Sequence, residues 1–327
     1  MDKPRILSGM RPTGQLHLGH LVGALDNWVP LQDQYDCFYC IVDWHALTTH
    51  YDDTHEIQGY ILDNAIDWLA AGLDPKRSAI FIQSGVVEHA ELHLLLSMIA
   101  PLGWLERVPT YKEQMEQITG HDLHTYGFLG YPLLQAADIL IYKAAAVPVG
   151  EDQVAHIELT REIARRFNHF YGPVLKEPQA LLTKVPRLPG TDGRKMSKSY
   201  NNAIALGDRP EKIKETIKTM VTDPARVRRH DPGNPDVCPV GDYHKVFSGP
   251  ETLAWVDQGC RSAGIGCIEC KMKLFDNLQK RLEPISARRQ ELESHKDDVS
   301  DILQEGARKA KAAAGETMAE VRKAMRI

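Results

Sequence analysis

Two short, widely separated segments carry residue types suited to chemistry at phosphate. The first runs from Pro12 to His20 and follows an apolar stretch, Ile6 to Met10. A strand, a glycine turn and a helix are expected there in succession, and at such a turn backbone N–H groups and the helix dipole favour bound phosphate. We predict that His17 and His20 donate hydrogen bonds to triphosphate oxygens. The alternative is that both histidines only cap and solvate the start of the helix.

The second segment, Lys195 to Ser199, lies in a basic loop over residues 190–199, with small hydroxyl side chains among its lysines. Lysines on a glycine-flanked loop can swing toward a departing pyrophosphate and neutralise its charge, which matters mainly in the transition state. We therefore predict catalytic roles for Lys195 and Lys198 in a reaction at ATP.

The composition is that of an ordinary globular enzyme, with 327 residues, 43% hydrophobic and 25% charged. The net charge of −5 gives no global electrostatic argument for nucleic-acid binding, although an acidic body can carry a local basic face. The N-terminus lacks the apolar core of a signal peptide, and no apolar run approaches the ~20 residues of a membrane span. We predict a cytoplasmic protein that does not contact a membrane.

Short apolar stretches alternate with helical patterns in the first part of the chain. Residues 5–9, 37–43 and 79–83 are predicted strands, and residues 18–34 and about 53–72 are predicted helices. This alternation predicts an α/β fold with a parallel, Rossmann-type sheet that binds ligands at the carboxyl ends of its strands. Residues 88–170 are predicted to be mostly helical, as is the chain from about 209 onward, which ends in an amphipathic helix over about 272–325.

Asp138 is an acid in an apolar helical stretch, Leu133 to Leu140. A buried carboxylate is costly unless it is paired, so we predict a partner or a ligand for this side chain. The alternative is an ordinary salt bridge to a neighbouring helix.

Four of the six cysteines fall in the last third of the chain, with the spacing C-x21-C-x6-C-x2-C. Four thiolates can hold zinc or an iron–sulfur cluster, and spacing alone does not choose between them. The alternative is four reduced cysteines that pack independently. Cys37 and Cys40 lie in a strand-like run and are predicted to be core residues. The four candidate ligands are Cys238, Cys260, Cys267 and Cys270.

Further motifs accompany the two phosphate segments: Ser8 to Gly14, Asp43 to Ala46, Tyr131-Pro132, Ala137 to Leu140, Val147 to Gln153 and His156 to Arg161. The two phosphate segments resemble the HIGH and KMSKS signatures of class I aminoacyl-tRNA synthetases. With the further motifs, the chain resembles the tryptophanyl-tRNA synthetases over essentially its whole length.

This resemblance implies a two-step ligase. The carboxylate of L-tryptophan attacks the α-phosphorus of ATP, bound with Mg²⁺, and the tryptophanyl group then passes to tRNA(Trp), with release of AMP and pyrophosphate. The implied ATP contacts are Arg11, Pro12, Thr13, Gly19, His20, Gly150, Glu151, Asp152, Val185, Lys195, Met196, Ser197, Lys198 and Ser199.

The resemblance also implies a tryptophan pocket in which Asp138 accepts the indole N–H. Gln135 departs from the methionine found in many bacterial relatives, and it is expected to hydrogen-bond the acid. His45 and Gln153 are expected on the side of the substrate ammonium and carboxylate. The implied walls are Gly9, Tyr131, Gln135, Val147 and Val149.

The implied organisation is a catalytic domain over residues 1–205 and a helical anticodon-binding domain over 206–327. A helical insertion at about 105–177 is expected to carry the amino-acid pocket and the contacts of a homodimer. The sequence around the four cysteines resembles a bacterial subgroup that holds a 4Fe-4S cluster, with Zn²⁺ as the second candidate. Arg226, Arg228 and Arg229 are candidates for tRNA phosphate contacts, or a solvated face.

Other functions remain open at this point. A tyrosyl-tRNA synthetase would share the fold, the motifs and the chemistry. A catalytically silent tRNA-binding paralogue would be expected to lose lysines or histidines from the signatures, and none is missing. A small-metabolite nucleotidyltransferase would not need the helical C-terminal part.

Overall fold

The computed structural model of the chain contains a parallel sheet of five strands in the order β3–β2–β1–β4–β5. The structure describes residues 3–118, 121–183, 188–197 and 200–327. Predictions that concern Val185, Lys198 and Ser199 lie outside these residues. The strands are β1 Arg5–Met10, β2 Asp36–Ile41, β3 Ser78–Ile82, β4 Ala146–Val149 and β5 Gln179–Leu182.

The helices surround the sheet or follow it along the chain. No described helix is long and apolar enough to cross a membrane. They are α1 Leu18–His20, α2 Asp26–Leu31, α3 Asp43–His50, α4 Ile57–Ala71, α5 Glu88–Ser97, α6 Leu102–Leu105, α7 Pro109–Gln117, α8 Tyr126–Ile141, α9 Val154–Tyr171, α10 Pro210–Thr219, α11 Pro239–Phe247, α12 Pro250–Arg261, α13 Cys267–Ser294 and α14 Lys296–Met325, with a π-helical turn at Leu21–Leu25 between α1 and α2.

The parallel sheet confirms the predicted α/β fold class with a helical C-terminal region. β1 pairs with β2 along its whole length, from Arg5 opposite Asp36 to Met10 opposite Ile41. Because the chain order reverses between β1 and β4, the carboxyl ends of these two strands flank the topological switch point at which such sheets bind ligands. Cys37 and Cys40 are fully buried in β2, as expected of core residues.

Residues 88–170 are mostly helical, as predicted, but they also contain a strand that was not predicted, β4. Its four residues, Ala-Val-Pro-Val, are all buried, and they pair with β5 from Ala146 to Val149. Pro148 is the reason the strand was missed, because a proline in so short an apolar run indicates a break. The predicted helix over 272–325 is likewise two helices, α13 and α14, with His295 between them.

The chain divides into two compact units. Unit 1 contains Met1–Gly14, Asn27–Lys184 and His295–Ile327, and unit 2 contains Gln15–Asp26 and Val185–Ser294. The sheet belongs to unit 1. This division differs from the predicted domain boundary between residues 205 and 206, because His295–Ile327 belongs to unit 1, together with the sheet.

Helix α14 joins unit 1 because its backbone packs directly on strand β3. A Cβ atom on Gly306 would lie only 1.9 Å from the carbonyl oxygen of Ile80, so the helix approaches as closely as it does only because this residue is glycine. Arg322, near the end of α14, donates two hydrogen bonds to the carboxylate of Glu91 on α5, at 2.5 and 2.7 Å. This bidentate pair fixes the far end of the helix.

We predict that Gly306→Val lowers the free energy of unfolding by at least ~2 kcal/mol, because the added side chain must push α14 away from β3. Gly315→Ala is the matched control in the same helix. An added Cβ at Gly315 meets no atom within 4 Å, so alanine there should stabilise the helix by about 0.5–1 kcal/mol. Urea denaturation of both variants measures the difference, and equal effects would contradict the close approach.

Candidate active site

The two histidines of the first phosphate segment face each other at the start of α1. His17 is the N-cap residue, and the ring centroids of His17 and His20 are 3.8 Å apart. The backbone N–H of Gly19 donates to His17 Nδ1 at 3.2 Å, and the backbone N–H of His17 donates to His20 Nδ1 at 3.1 Å. With Nδ1 accepting in both rings, the proton of each neutral imidazole is on Nε2. Each ring is therefore set up as an Nε2–H donor.

The part of the first phosphate segment from Gln15 to His20 belongs to unit 2, as does the lysine segment, and the two touch each other there. A Cβ atom on Gly19 would lie 3.3 Å from the sulfur of Met196 and 3.0 Å from the His17 ring. The backbone N–H of Leu18 donates to Ile204 O at 3.0 Å, which ties the start of α1 to the chain just beyond the lysine segment. The structure thus brings together the segments with His17, His20 and Lys195.

A single buried amide, Asn202, organises the loop that carries Lys195. Its Oδ1 accepts the backbone N–H of Ser197 at 2.8 Å. Its Nδ2 donates to Asp192 Oδ1 at 2.7 Å and to the carbonyl oxygen of Lys195 at 3.1 Å. A Cβ atom on Gly190 would lie 2.1 Å from Nδ2, so only glycine fits beside this amide. Asn202 is 2% exposed and satisfies backbone groups that the loop itself leaves unpaired.

In unit 1, the carboxylate of Asp138 on α8 is buried and accepts three hydrogen bonds. His45 Nε2 on α3 lies 2.8 Å from Oδ2. Gln83 Nε2, in the turn after β3, and His89 Nδ1, on α5, lie 2.8 and 2.7 Å from Oδ1. Gln135 makes none of these bonds in the described structure, although it was expected to hold the acid. The prediction that Asp138 has partners is confirmed, and its partners come from three separate elements.

These donors keep Asp138 charged. Burial alone would raise the pKa of this carboxyl, but the hydrogen bonds from His45 and His89 outweigh it and hold the pKa at about 2. A carboxyl whose pKa lies below its ordinary range adds stability at pH values above that range, and the contribution is lost as the pH falls toward 2. At neutral pH the site therefore offers a fixed negative charge.

A second polar chain leads from Tyr131, also on α8, into the protein. The Tyr131 hydroxyl lies 3.1 Å from Thr110 Oγ1, and Thr110 Oγ1 lies 2.5 Å from His156 Nε2. Burial, with a smaller effect of nearby His45, lowers the pKa of His156 to about 4, so this ring is neutral at pH 7. Thr110 and His156 thus fix the position of the Tyr131 hydroxyl, on the same helix as Asp138.

The remaining predicted residues of unit 1 lie near the carboxyl ends of β1 and β4. Val147 and Val149 are buried in β4, and Gly9 is in β1, where a Cβ would lie 3.0 Å from the carbonyl oxygen of Cys40. Gln153 donates to Asp152 Oδ2 at 2.9 Å in the turn after β4. Arg11, Pro12 and Thr13 directly follow β1, and Gly150 and Glu151 directly follow β4.

The four C-terminal cysteines lie close together in unit 2. Burial, followed by the neighbouring thiols of Cys238, Cys260 and Cys267, raises the pKa of Cys270 to about 12. Arg226 Nη1 lies 3.8 Å from the sulfur of Cys260. No three His, Cys, Asp or Glu side chains form a group that could hold a metal ion among the described residues. The thiols are thus neighbours of the right chemical type, without a preformed ligand geometry.

Arg226 is buried, whereas a side chain that binds phosphate at the protein surface would be exposed. It is 8% exposed, and its Nη2 donates to the carbonyl oxygens of Arg229 at 3.0 Å and Ile265 at 2.5 Å. Arg228 and Arg229 are exposed. In this arrangement Arg226 holds the cysteine loops together.

Sequence reasoning missed Gln83, His89 and Asn202. Gln83 and His89 are 55 and 49 residues from Asp138 along the chain, so no local pattern links them to it. Gln83 is the last residue of the predicted strand over 79–83 and His89 follows it closely, so position at the carboxyl end of a parallel strand was the available signal. Asn202 had a weaker signal, its place three residues beyond the lysine segment.

The chain is similar to known proteins over nearly its whole length. The family described as tRNA synthetases class I (W and Y) matches residues 1–283. The tryptophan–tRNA ligase of Thermotoga maritima is 58% identical over 99% of both chains. That of Ralstonia nicotianae is 47% identical over 99% of both. The crystal structure of Campylobacter jejuni tryptophanyl-tRNA synthetase complexed with ADP and tryptophan matches with a TM-score of 0.89, at 32% identity, over 99% of this chain and 100% of that one.

We predict that Asn202→Ala speeds tryptic cleavage after Lys195 by at least ~10-fold, because three buried hydrogen bonds, each contributing about 1 kcal/mol, hold the loop closed. Asn202→Asp is the matched comparison. It keeps the acceptor for Ser197 but loses both donors and faces the carboxylate of Asp192, so it should also open the loop. Unchanged cleavage rates in both variants would show that the amide does not organise the loop.

Proposed function

The chain belongs to the class I tRNA synthetases for tryptophan and tyrosine, and we propose that it joins L-tryptophan to tRNA(Trp). The full-length similarity to tryptophan–tRNA ligases carries this proposal. The buried carboxylate of Asp138 supports the choice of tryptophan, since an indole N–H needs one acceptor in an otherwise apolar pocket.

The reaction has two steps. The tryptophan carboxylate attacks the α-phosphorus of Mg²⁺-bound ATP, which forms tryptophanyl-adenylate and releases pyrophosphate. The 2′-hydroxyl of the terminal adenosine of tRNA(Trp) then takes the tryptophanyl group, and AMP leaves. No general base is required in the first step, because the substrate carboxylate is itself the nucleophile. The protein positions the reactants and stabilises developing charge.

We assign the charge stabilisation to His17, His20, Lys195 and Lys198. The Nε2–H of each histidine can donate to a phosphate oxygen, because backbone N–H groups already occupy both Nδ1 atoms. Lys195 lies on the loop held by Asn202, which supports a role on the departing pyrophosphate. Lys198 belongs to the same short motif, and its role is proposed from the motif alone.

The ATP contacts are proposed from the resemblance. They are Arg11, Pro12, Thr13, Gly19, His20, Gly150, Glu151, Asp152, Val185, Lys195, Met196, Ser197, Lys198 and Ser199.

In the proposed tryptophan pocket, Asp138 accepts the indole N–H. Tyr131 lies on the same helix, and Val147 and Val149 provide apolar contacts from β4. His45 already uses Nε2 on Asp138, so its contribution to the pocket is to hold that acid. Gly9, Gln135 and Gln153 remain proposed members of the pocket.

We also propose that Cys238, Cys260, Cys267 and Cys270 hold a 4Fe-4S cluster, with zinc as the second candidate. The resemblance to the cluster-binding subgroup and the mutual effect of the thiols on the pKa of Cys270 support this assignment. A bound metal would favour the thiolate forms of these side chains, which are the forms that ligate it. Because the described side chains form no three-ligand group, binding requires them to reorient. No step of the ligase reaction involves the cluster.

The proposal extends to partners and location. The helical part of unit 2 would bind the anticodon region of tRNA(Trp), and the cytoplasm is the proposed compartment. A homodimer is proposed from the resemblance. Three exposed apolar side chains on and after α5 support it, since a second copy of the chain would cover them: Leu94, Met98 and Leu102.

We predict ATP–pyrophosphate exchange that depends on tryptophan and not on tyrosine. Asp138→Asn should lower kcat/KM for tryptophan by about 10–100-fold, because an N–H₂ group replaces one of the two acceptor oxygens and then faces either His45 or the pair of Gln83 and His89, which are themselves donors. Asp297→Asn, at an exposed position in α14, is the control and should leave the rate unchanged. Exchange with tyrosine would overturn the proposed substrate, and exchange with neither amino acid would favour a silent paralogue.

We predict that anaerobically purified protein contains iron and sulfide and that Cys267→Ser lowers both. Elemental analysis distinguishes iron from zinc, and visible absorption reports the cluster. Cys37→Ala, in the core of unit 1, should keep the metal content of the parent chain. Full metal content after replacement of each of the four C-terminal cysteines would contradict the ligand assignment.

A further inference from the structure

The surroundings of Asp138 carry one inference beyond its proposed contact with the indole. We propose that His89 is a positioning residue that keeps a single lone-pair direction of Asp138 open, so that the pocket selects an indole N–H over a phenol O–H. This inference rests on the proposed function, since it concerns the same pocket.

Three of the four lone-pair positions of Asp138 accept hydrogen bonds from described side chains, which leaves one position unoccupied. A carboxylate has about four lone-pair positions. Gln83 and His89 occupy the two on Oδ1, and His45 occupies one on Oδ2. The one position left lies on Oδ2, and it suits one N–H donor.

The same arrangement of donors leaves a phenol oxygen without a hydrogen-bond donor. A phenol hydroxyl could donate to the open position, but its oxygen also needs a donor. The N–H groups of His45, Gln83 and His89 that reach this point are all directed at Asp138. A phenol oxygen buried here would keep an unmet acceptor, and sites that leave a polar group unmet discriminate strongly.

His89 can hold this arrangement because both of its ring nitrogens are fixed. A carboxylate can only accept, so Nδ1 carries the proton that is shared with Asp138. At the other side of the ring, Nε2 lies 2.6 Å from the hydroxyl of Tyr142, which donates to it when the ring is neutral. His89 and Tyr142 are both fully buried, and Phe81 packs against both rings. The imidazole therefore cannot turn away from the acid.

Three titratable side chains that lie near Asp138 are uncharged at neutral pH: Cys40, His93 and Tyr142. Burial raises the pKa of the Cys40 thiol far above its ordinary value, so this side chain is neutral. Burial lowers the pKa of His93, with Asp138 acting in the opposite direction, so this ring is also uncharged at neutral pH. Burial raises the pKa of Tyr142 well above its ordinary range. At pH 7 Asp138 is thus an anion beside three neutral groups, with the carboxyl groups of Asp43 and Glu88 acting on Cys40 and Tyr142, respectively.

Loss of the His89 hydrogen bond should weaken selection in a pH-dependent way. Removing one of the donors that stabilise the carboxylate raises the pKa of Asp138. Once Oδ2 is protonated, the acid can present an O–H donor at the open position, which serves a phenol oxygen and opposes an indole N–H. The wild-type protein avoids this state throughout the physiological pH range.

Calorimetric binding of L-tryptophan and L-tyrosine between pH 5 and 8 tests the inference on the full chain. His89→Leu should raise the Kd for tryptophan at pH 7 by about 10-fold, because Asp138 loses a donor that orients it and a badly oriented hydrogen bond from the indole to this charged group is weakened by about that much. The Kd should rise further toward pH 5, and the preference for tryptophan over tyrosine should shrink. His89→Asn is the matched variant, because its side-chain N–H₂ can replace Nδ1–H, and it should recover most of the affinity and the flat pH profile.

Tyr142→Phe provides a second variant that keeps the imidazole and removes only the hydroxyl that orients it. It should change tryptophan binding in the same direction by a smaller factor, and thermal unfolding confirms that each variant is folded. A tryptophan preference and pH profile unchanged in folded His89→Leu, or no recovery in His89→Asn, would overturn the role of His89. Wild-type protein that fails to bind tryptophan would instead overturn the proposed function.

Discussion

The constraint on which unit 1 depends is the burial of one negative charge. A carboxylate that is 3% exposed in a low-dielectric interior is tolerated only if donors replace the water it has lost. The three donors come from α3, from the turn after β3 and from α5, and the acid comes from α8. These four elements must therefore pack in one fixed arrangement around it. The charge that we propose accepts the indole N–H thus also specifies which elements meet at the carboxyl edge of the sheet.

Much of the fold and part of the site could be predicted from the sequence, for physical reasons. Strand and helix periodicity located β1, β2 and β3, and parallel topology followed from the alternation of strands with helices. The contact between Gly19 and Met196 was implied by chemistry, since both segments were expected at one triphosphate. Local sequence patterns predict no more than this, because they indicate which face of a helix or strand is apolar but not which element packs against that face.

The features that were missed depend on long-range packing. His89 and Gln83 serve Asp138 across about fifty residues of chain. β4 is a strand because two neighbours pair with it, despite a proline that argues against it. The amphipathic pattern of α14 is the same whether it covers the sheet or another helix, so the sequence could not assign it to unit 1. The close approach at Gly306 becomes visible only once Ile80 is beside it.

The return of α14 to the sheet has a consequence for biosynthesis. Ribosomes deliver the strands and their first helices early, but residues 295–327 of unit 1 emerge only after all of unit 2. During that interval the face of β3 that will receive Gly306 is uncovered, and the nascent chain exposes apolar surface of the kind that chaperones bind. Completion of unit 1 therefore requires that residues 295–327 have been translated, and a chain that ended before them would lack the helix that covers β3.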